Sequence, residues 1–548
     1  LIVMLGGDNY RIGMGGGAVS SVETGRYGSS IELNAVQRAN PEMQKRVYNA
    51  IRALAESIDN PVVSIHDHGA GGHLNCLSEL VEQTGGFIEM EKLPVGDPTM
   101  SAKEIIGNES QERMGLVMKE DTLPLIQRIA ERERAPLYVI GEVTGDHQFT
   151  FVEKDGSKPI DLQLKDMFGN PPKTIMRDET STLSFPEPGY TADKFNEYLE
   201  QVLQLEGVAC KDWLTNKVDR CVTGRIAKQQ TCGTYQLPLN NVAVATLDYS
   251  SCKGVATALG HAPAAGLINP ESGSVLAIAE SLTNIVWAPI EEGLSGISLS
   301  ANWMWPCKNP GEDARLYSAV KAASDFAISL GINIPTGKDS LSMTQKYPDG
   351  TLVFSPGTVI ISAAGEVTDI HKTVEPVLNE CPGSRLLYID MSGSDYFLGG
   401  SSFAQVMNAL GNKAPSVTDP RYFKTVFNTI QSLVVSDLIL AGHDISAGGM
   451  IVALLEMTFS CEKLGLEIDL SPLPEHDIIK LLFSEKPGLV FQIEDRSPAI
   501  NMLKEMGIQY YDLGIVVKSD FIKLKKDAWT TSLDILSLIH ISEPTRPY

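Results

Sequence analysis

A seven-residue stretch that occurs twice constrains this chain more than any other feature. His66-Asp67-His68-Gly69-Ala70-Gly71-Gly72 returns 377 positions later as His443-Asp444-Ile445-Ser446-Ala447-Gly448-Gly449. Each copy follows an apolar run that reads as a strand, over 61–65 and 438–441. Each precedes an apparent helix, through Leu74, Leu77 and Leu80 or through Ile451, Leu454 and Leu455. A helix that opens on glycine leaves its first N–H groups without partners, and its dipole favours negative charge, so the turn suits an anion. The surroundings are duplicated as well. Met14-Gly15-Gly16-Gly17-Ala18 matches Leu398-Gly399-Gly400-Ser401-Ser402, and Glu79 matches Glu456. Glu112-Arg113-Met114-Gly115-Leu116-Val117 matches Glu485-Lys486-Pro487-Gly488-Leu489-Val490, and Gly141-Glu142-Val143 matches Gly514-Ile515-Val516. The offset falls from 384 to 373 in one direction only, as loop shortening in a second copy of one domain would produce.

A chain of 548 residues with 43% apolar side chains is long enough for three or four domains, each with its own core. Residues 1–175 read as the first copy and 383–528 as the second. Between them, 176–215 reads as a linker rich in proline and acidic residues, and 216–372 as a different, α+β domain. In the first copy Asn40 caps and Pro41 opens a helix, with Met43, Val47, Ala50, Ile51 and Leu54 at helical spacing. The middle domain alternates strand-like runs (242–247, 297–299 and 358–363) with helices over 274–287 and 313–330. The fold class is therefore mixed, α+β and α/β, with one domain type repeated around an unlike centre. Residues 1–4 look like a strand already under way, and 537–548 break the preceding pattern. The chain thus reads as an internal fragment with a non-native tail.

A formal net charge of −23 argues against general binding to nucleic acid or anionic membranes. It leaves room for phosphate ligands held by backbone N–H groups, bound cations and a few local Lys or Arg residues. No run suits a membrane span. Eight cysteines without CxxC spacing support neither a disulfide scaffold nor a structural zinc site, and fit a reducing, cytoplasmic setting.

Three constellations can carry chemistry, and each has a plainer reading. Glu280 and Asn284 stand at i and i+4, so their oxygens face one way and can serve Mg2+; an exposed polar face or a local hydrogen bond explains the spacing too. Asp444 at the repeated turn can hold a cation, while Ser446 and the N–H groups that follow, at Gly448 and Gly449, can meet phosphate. A duplicated domain would also keep these glycines for architecture alone. Pro335-Thr336-Gly337-Lys338-Asp339-Ser340 is superficially P-loop-like, but Asp follows the lysine, so GxxxxGK[ST] is not met. Lys338 can neutralise phosphate there, or the segment is an ordinary polar turn. His66 and His443 occupy equivalent positions and read as satisfied turn histidines. Neither a Ser-His-Asp order nor a reactive-cysteine motif is visible, and no catalytic residue is assigned.

Together these stretches resemble the central part of the large, single-chain phosphoribosylformylglycinamidine synthases, glutamine-dependent ligases of purine synthesis. The resemblance is carried by Gly13-Met-Gly-Gly-Gly-Ala-Val-Ser-Ser21, Val36-Gln-Arg-Ala-Asn-Pro-Glu-Met43, His66-Asp-His-Gly-Ala-Gly-Gly72 and Asn108-Glu-Ser-Gln-Glu-Arg113. Glu280-Ser-Leu-Thr-Asn284, Leu299-Ser-Ala-Asn-Trp-Met304, Gly311-Glu-Asp-Ala314, Gly337-Lys-Asp-Ser-Leu-Ser-Met343 and His443-Asp-Ile-Ser-Ala-Gly-Gly449 extend it over most of the chain. It implies PurM-like domains, like those of aminoimidazole ribonucleotide synthetase, in B-A-B order. It also implies that a first A domain and a class I glutaminase with its Cys-His-Glu system lie outside this chain.

The reaction implied converts formylglycinamide ribonucleotide, glutamine, ATP and water to the amidine, glutamate, ADP and phosphate. This piece alone is expected to be inactive. By resemblance Glu280, Asn284, Asp444 and Ser446 serve nucleotide (ATP or ADP) and Mg2+. Asn241 stands where well-known relatives carry an Mg2+-binding Asp, and so offers an oxygen with less charge. Two other readings are a kinase of the same domain type with a different acceptor, and a non-catalytic, nucleotide-binding scaffold.

Overall fold

The structure, a computed structural model, describes the chain except residues 15–21, 23, 36–39, 111, 171, 174, 216–223, 382 and 543–548. Gly15-Gly16-Gly17 and residues 36–39 of the 36–43 motif therefore lie outside the described residues. The chain forms two compact units: Leu1–Met176 with Ser342–Phe354, and Arg177–Leu341 with Ser355–Tyr548.

The first unit is built on seven strands: β1 (Ile2–Leu5), β2 (Val62–Asp67), β3 (Gly86–Glu89), β4 (Met114–Met118), β5 (Leu137–Val143), β6 (Gln148–Val152) and β7 (Ile160–Gln163). They form one sheet in the order β2-β4-β1-β5-β3-β6-β7. Strand alternation sends neighbouring side chains to opposite faces. Met4 accordingly packs with Cys76, Leu77 and Leu80 of the helix Gly72–Leu80, whereas Leu5 packs with Val47, Ala50, Leu54, Ile126 and Ala130 of the helices Pro41–Ala55 and Leu123–Glu133. Asn40 caps as its sequence context predicts, its Oδ1 accepting from the Met43 N–H at 3.0 Å.

The second unit contains two sheets. The middle domain contributes β8 (Ile226–Lys228), β9 (Ala243–Thr246), β10 (Gly254–Gly260), β11 (Ile297–Met304), β12 (Asn333–Ser340) and β15 (Thr358–Val367), ordered β12-β11-β15-β10-β9-β8. The helix Pro270–Ile285 buries Ala277, Ile278, Ala279 and Leu282 in the core of this domain. A hairpin, β13 (Thr344–Lys346) with β14 (Leu352–Phe354), leaves this domain and groups with the first unit, where the Lys346 N–H donates to the Thr24 carbonyl at 3.0 Å. The last sheet holds β16 (Arg385–Asp390), β17 (Ala441–Asp444), β18 (Leu464–Asp469), β19 (Gly488–Ile493), β20 (Tyr511–Lys518), β21 (Phe521–Lys526) and β22 (Trp529–Asp534).

Its order, β17-β19-β16-β20-β18-β21-β22, repeats that of the first sheet strand for strand. The likeness extends to an irregularity. The pairing of the first strand with its fifth-strand partner slips by a residue after Ile2, opposite Gly141, and after Leu386, opposite Gly514. A Cβ at either glycine would lie 2.0 Å from a neighbouring carbonyl oxygen, of Phe87 or of Glu467. Duplication at the level of the fold is thus established.

Several boundaries differ from the sequence reading. The strands before the repeated motif run through it: His66-Asp67 and His443-Asp444 are the last residues of β2 and β17, because β4 and β19 continue the ladder beside them. The supposed linker contains the helix Phe195–Gln204, whose Phe195, Tyr198, Leu199, Val202 and Leu203 are buried in the core of the last sheet. Residues 537–542, set aside as tail, belong to the helix Ile535–Ser542, with Leu538 in that same core.

Candidate functional site

His443 and Asp444, the last residues of β17, both have buried side chains. Asp444 Oδ1 lies 3.1 Å from His443 Nδ1, and His443 Nε2 lies 2.9 Å from Glu456 on the following helix, Gly449–Phe459. Burial alone would push the imidazole down; the hydrogen bonds to Asp444 and Glu456 outweigh it and carry His443 up to about 10. His443 is therefore a buried cation that orients Asp444. The first copy repeats the pairing of His66 with Glu79. Its Asp67, however, is 62% exposed where Asp444 is 1% exposed, so only one of the two carboxylates is enclosed.

Glu280 and Asn284 do share a face of the helix Pro270–Ile285, and both meet the end of β10. That strand reaches the helix because it ends on Gly260, where a Cβ would lie 2.1 Å from the Ala277 carbonyl oxygen. Glu280 Oε2 accepts from the His261 N–H at 2.7 Å, and Asn284 Nδ2 donates to the Leu259 carbonyl at 3.2 Å. Burial, reinforced by the charges of Asp444 and Glu485, pushes the Glu280 carboxyl up to about 8 despite the N–H from His261. One residue before Asn284, Thr283 Oγ1 lies 3.5 Å from Asp444 Oδ2 and links this helix to β17. Asn241 joins the same strand from the other side, its Nδ2 donating to the Gly442 carbonyl at 3.1 Å.

Between these elements lies a cavity of about 270 Å³. Glu280, Thr283 and His261 form one wall, Ser446 and Ala447 another, and Gly399 to Ser402 a third. Ala262 to Ala265, Leu276, Ile445 and Pro487 give it an apolar side. Among the described residues, the lining includes Glu280 and Glu485 but no lysine or arginine. Glu485 Oε1 accepts from the Gly448 N–H and from the Ser402 N–H, each at 2.7 Å, so one carboxylate holds two helix starts together. Burial raises the Glu485 carboxyl, and those two N–H groups oppose the shift.

The sequence-derived residues thus fall into two groups. Glu280 and Ser446 line the cavity, and Asp444 sits behind it against Thr283. Gly448 and Gly449 shape the helix start with φ of +90° and +77°; the Gly448 N–H is committed to Glu485, and the Gly449 N–H donates to the Ser446 carbonyl at 3.0 Å. Asn284 and Asn241 brace the walls without lining the cavity. Lys338 is not brought there at all. It stands on β12, the edge of the middle sheet, and its Nζ donates to the Asp339 carbonyl and Ser340 Oγ at 3.2 and 3.1 Å. Glu485 and Ser402 also line the cavity, and motif reading passed over them. Both were visible as matched repeat positions, but their meeting is a fact of the folded chain.

The repeated sheets and the cavity between a B-type and an A-type domain define a class. Residues 1–154 and 382–527 match the family described as AIR synthase related protein, C-terminal domain, and 210–366 match the FGAR-AT PurM_N-like domain. The chain belongs to the AIR synthase related family. It is 39% identical over 565 residues to the probable phosphoribosylformylglycinamidine synthase, chloroplastic/mitochondrial, of Arabidopsis thaliana, a match covering 100% of this chain and 39% of that protein. It is 40% identical over 539 residues to phosphoribosylformylglycinamidine synthase of Dictyostelium discoideum, and 38% identical over 539 residues to that of Homo sapiens. Each of these two matches covers 94% of this chain and 40% of the relative. The resemblance read from scattered motifs therefore holds over nearly the whole chain, which spans about two-fifths of the length of these relatives.

Among solved structures, T. maritima PurL complexed with FGAR is 18% identical with a TM-score of 0.65, matching 94% of this chain to 71% of that one. T. maritima PurL complexed with ATP is 17% identical with a TM-score of 0.62, matching 94% to 70%. These likenesses show the fold. Among the described residues, no helix is long and apolar enough to cross a membrane.

Proposed function

We propose that this chain is the B-A-B portion of a phosphoribosylformylglycinamidine synthase, and that its cavity holds a nucleotide together with Mg2+. One observation carries the reading. A pocket with glycine and serine at two helix starts, an apolar side, two carboxylates and, among the described residues, no lysine or arginine in its lining admits a phosphate only with a cation. Hard oxygen donors from Glu280 and Asp444 fit Mg2+, with Asn284 and Asn241 as neutral amides at the margin. When bound, Mg2+ would neutralise phosphate charge. Ser446 would donate to phosphate, His443 would hold the Asp444 carboxylate in place, and the wall from Ala262 to Ala265 would exclude water from the base.

The parent protein would use ATP to activate the formamide oxygen of formylglycinamide ribonucleotide. Ammonia from glutamine would then displace phosphate to give the amidine. A first A domain and a class I glutaminase of the same parent would complete it, in the cytoplasm. The scaffold reading, in which this cavity holds a nucleotide that never turns over, is favoured by one feature. Among the described residues, the lining carries no Lys or Arg to stabilise a phosphoryl group in transfer. Incubating the purified chain with ATP, Mg2+, formylglycinamide ribonucleotide and ammonium tests the division of labour. No amidine is expected; robust amidine formation would show that this piece is catalytically complete.

A further inference from the structure

At the end of the middle sheet away from motif positions, three chemically different ligating side chains meet. Strands β10 and β15 pair antiparallel with Gly254 opposite Val367, so the loop entering β10 and the segment leaving β15 emerge side by side. A backbone hydrogen bond from the Ile370 N–H to the Cys252 carbonyl, 2.8 Å, fastens them together. Ile370 also packs so close to the start of β10 that a Cβ on Gly254 would lie 2.7 Å from its side chain. The result sets Cys252 beside Asp369 and His371, with one ligand atom from each lying within 4.8 Å of the other two. Among the described residues this is the only set of three His, Cys, Asp or Glu side chains so placed.

The local order favours ligation. Asp369 Oδ1 accepts from the His371 N–H at 3.0 Å and lies 2.9 Å from His371 Nδ1, so the carboxylate and the imidazole are already oriented on one short turn. The two flanking lysines, which would compete as cations, are committed elsewhere. Lys253 Nζ lies 2.6 Å from Glu366, and Lys372 Nζ lies 2.8 Å from Asp437. Cys252 and His371 are exposed, so an ion can enter and keep water in a remaining position.

We propose that Cys252, Asp369 and His371 form a site for a divalent transition metal of borderline softness, Zn2+ being the natural occupant. A thiolate, an imidazole and one carboxylate suit such an ion and not Mg2+ or Ca2+, which take oxygen ligands. Tetrahedral Zn2+ with bonds of about 2.0–2.3 Å separates its ligand atoms by roughly 3.5 Å, within reach of small side-chain rotations from the present arrangement. The site shares no residue with the cavity described above. Its ion would clip the loop entering β10 to the segment that leads on to the last sheet.

Titration of the full chain with Co2+ alone tests this, because thiolate ligation gives Co2+ an intense near-ultraviolet charge-transfer absorption. The absorption is expected to saturate at one equivalent, to vanish in Cys252→Ser, and to require at least about tenfold more Co2+ in His371→Ala, a loss that even outer-sphere partners of a metal can produce. Circular dichroism of both variants checks that they fold, and the exposed positions make folding the expected outcome. Failure of Co2+ to produce the absorption, or its persistence in Cys252→Ser, would overturn the assignment.

Discussion

Glu280 illustrates a carboxylate kept at a cost to the empty protein. Burial lifts it to about 8, above its unfolded value. A group raised in this way contributes stability that is present below its unfolded pKa, about 4.5, and lost as pH rises through about 8. In chelator, Glu280→Gln should therefore melt with the parent at pH 5 and a few degrees above it at pH 8, because the amide keeps the bond from the His261 N–H and carries no charge. A melting difference that does not change with pH would contradict this account. The same substitution should weaken binding of Mg2+ and nucleotide, so the variant gains stability where it loses affinity.

The repeated strand-turn-helix element shows how one design can take opposite electrostatic roles. In the last sheet His443 is a buried cation, raised to about 10 by its two carboxylates. In the first unit His68 and His73 contact each other at 2.9 Å, and burial, with the charge of the buried Arg113, pushes both well below the ordinary histidine value. The pH dependences follow with opposite signs. Stability from His443 is complete below about 6.5 and is lost as pH rises toward 10, whereas stability from His68 and His73 is complete above about 6.5 and is lost as pH falls. Each histidine can change stability by up to about 1.4 kcal/mol per pH unit. Hydrogen exchange followed peptide by peptide should find the first unit opening first in acid and the second in alkali; a common response would refute the contrast.

The glycines of this element are equally testable. Gly72→Ala and Gly449→Ala place a Cβ 2.4 Å from the Asn108 carbonyl oxygen and 2.6 Å from that of Leu482, at φ of +60° and +77°. Each should cost about 1–3 kcal/mol in urea unfolding. The helix Phe195–Gln204 supplies a further check, since Leu199→Ala should cost about 2–5 kcal/mol if the segment is core and almost nothing if it is a tether.

At the scale of the molecule, sequence made the duplication legible because a copied fold keeps the same glycines and the same His–Glu pair at matched spacing. It also placed Glu280 and Asn284 on one helical face, since a period of 3.6 is local. What escaped was set by contacts distant in sequence. Lys338 looked like a phosphate ligand, but β12 is an edge strand that carries it away from the cavity. The helix Phe195–Gln204 has apolar residues at helical spacing, yet the prolines and acids before it made the whole stretch resemble a tether. Glu485 could be matched to Glu112 without any hint that it would join two helix starts.

The proposed role of the cavity beside Asp444 is to take a nucleotide through a divalent cation. Calorimetric titration of the chain with ADP, with and without Mg2+, measures this most directly when repeated on Asp444→Asn. The expected result is binding of one ADP that requires Mg2+ and weakens at least about tenfold in the variant, as loss of a charged ligand to the ion implies. ADP binding that is indifferent to Mg2+ and to Asp444→Asn, or absent altogether, would contradict it.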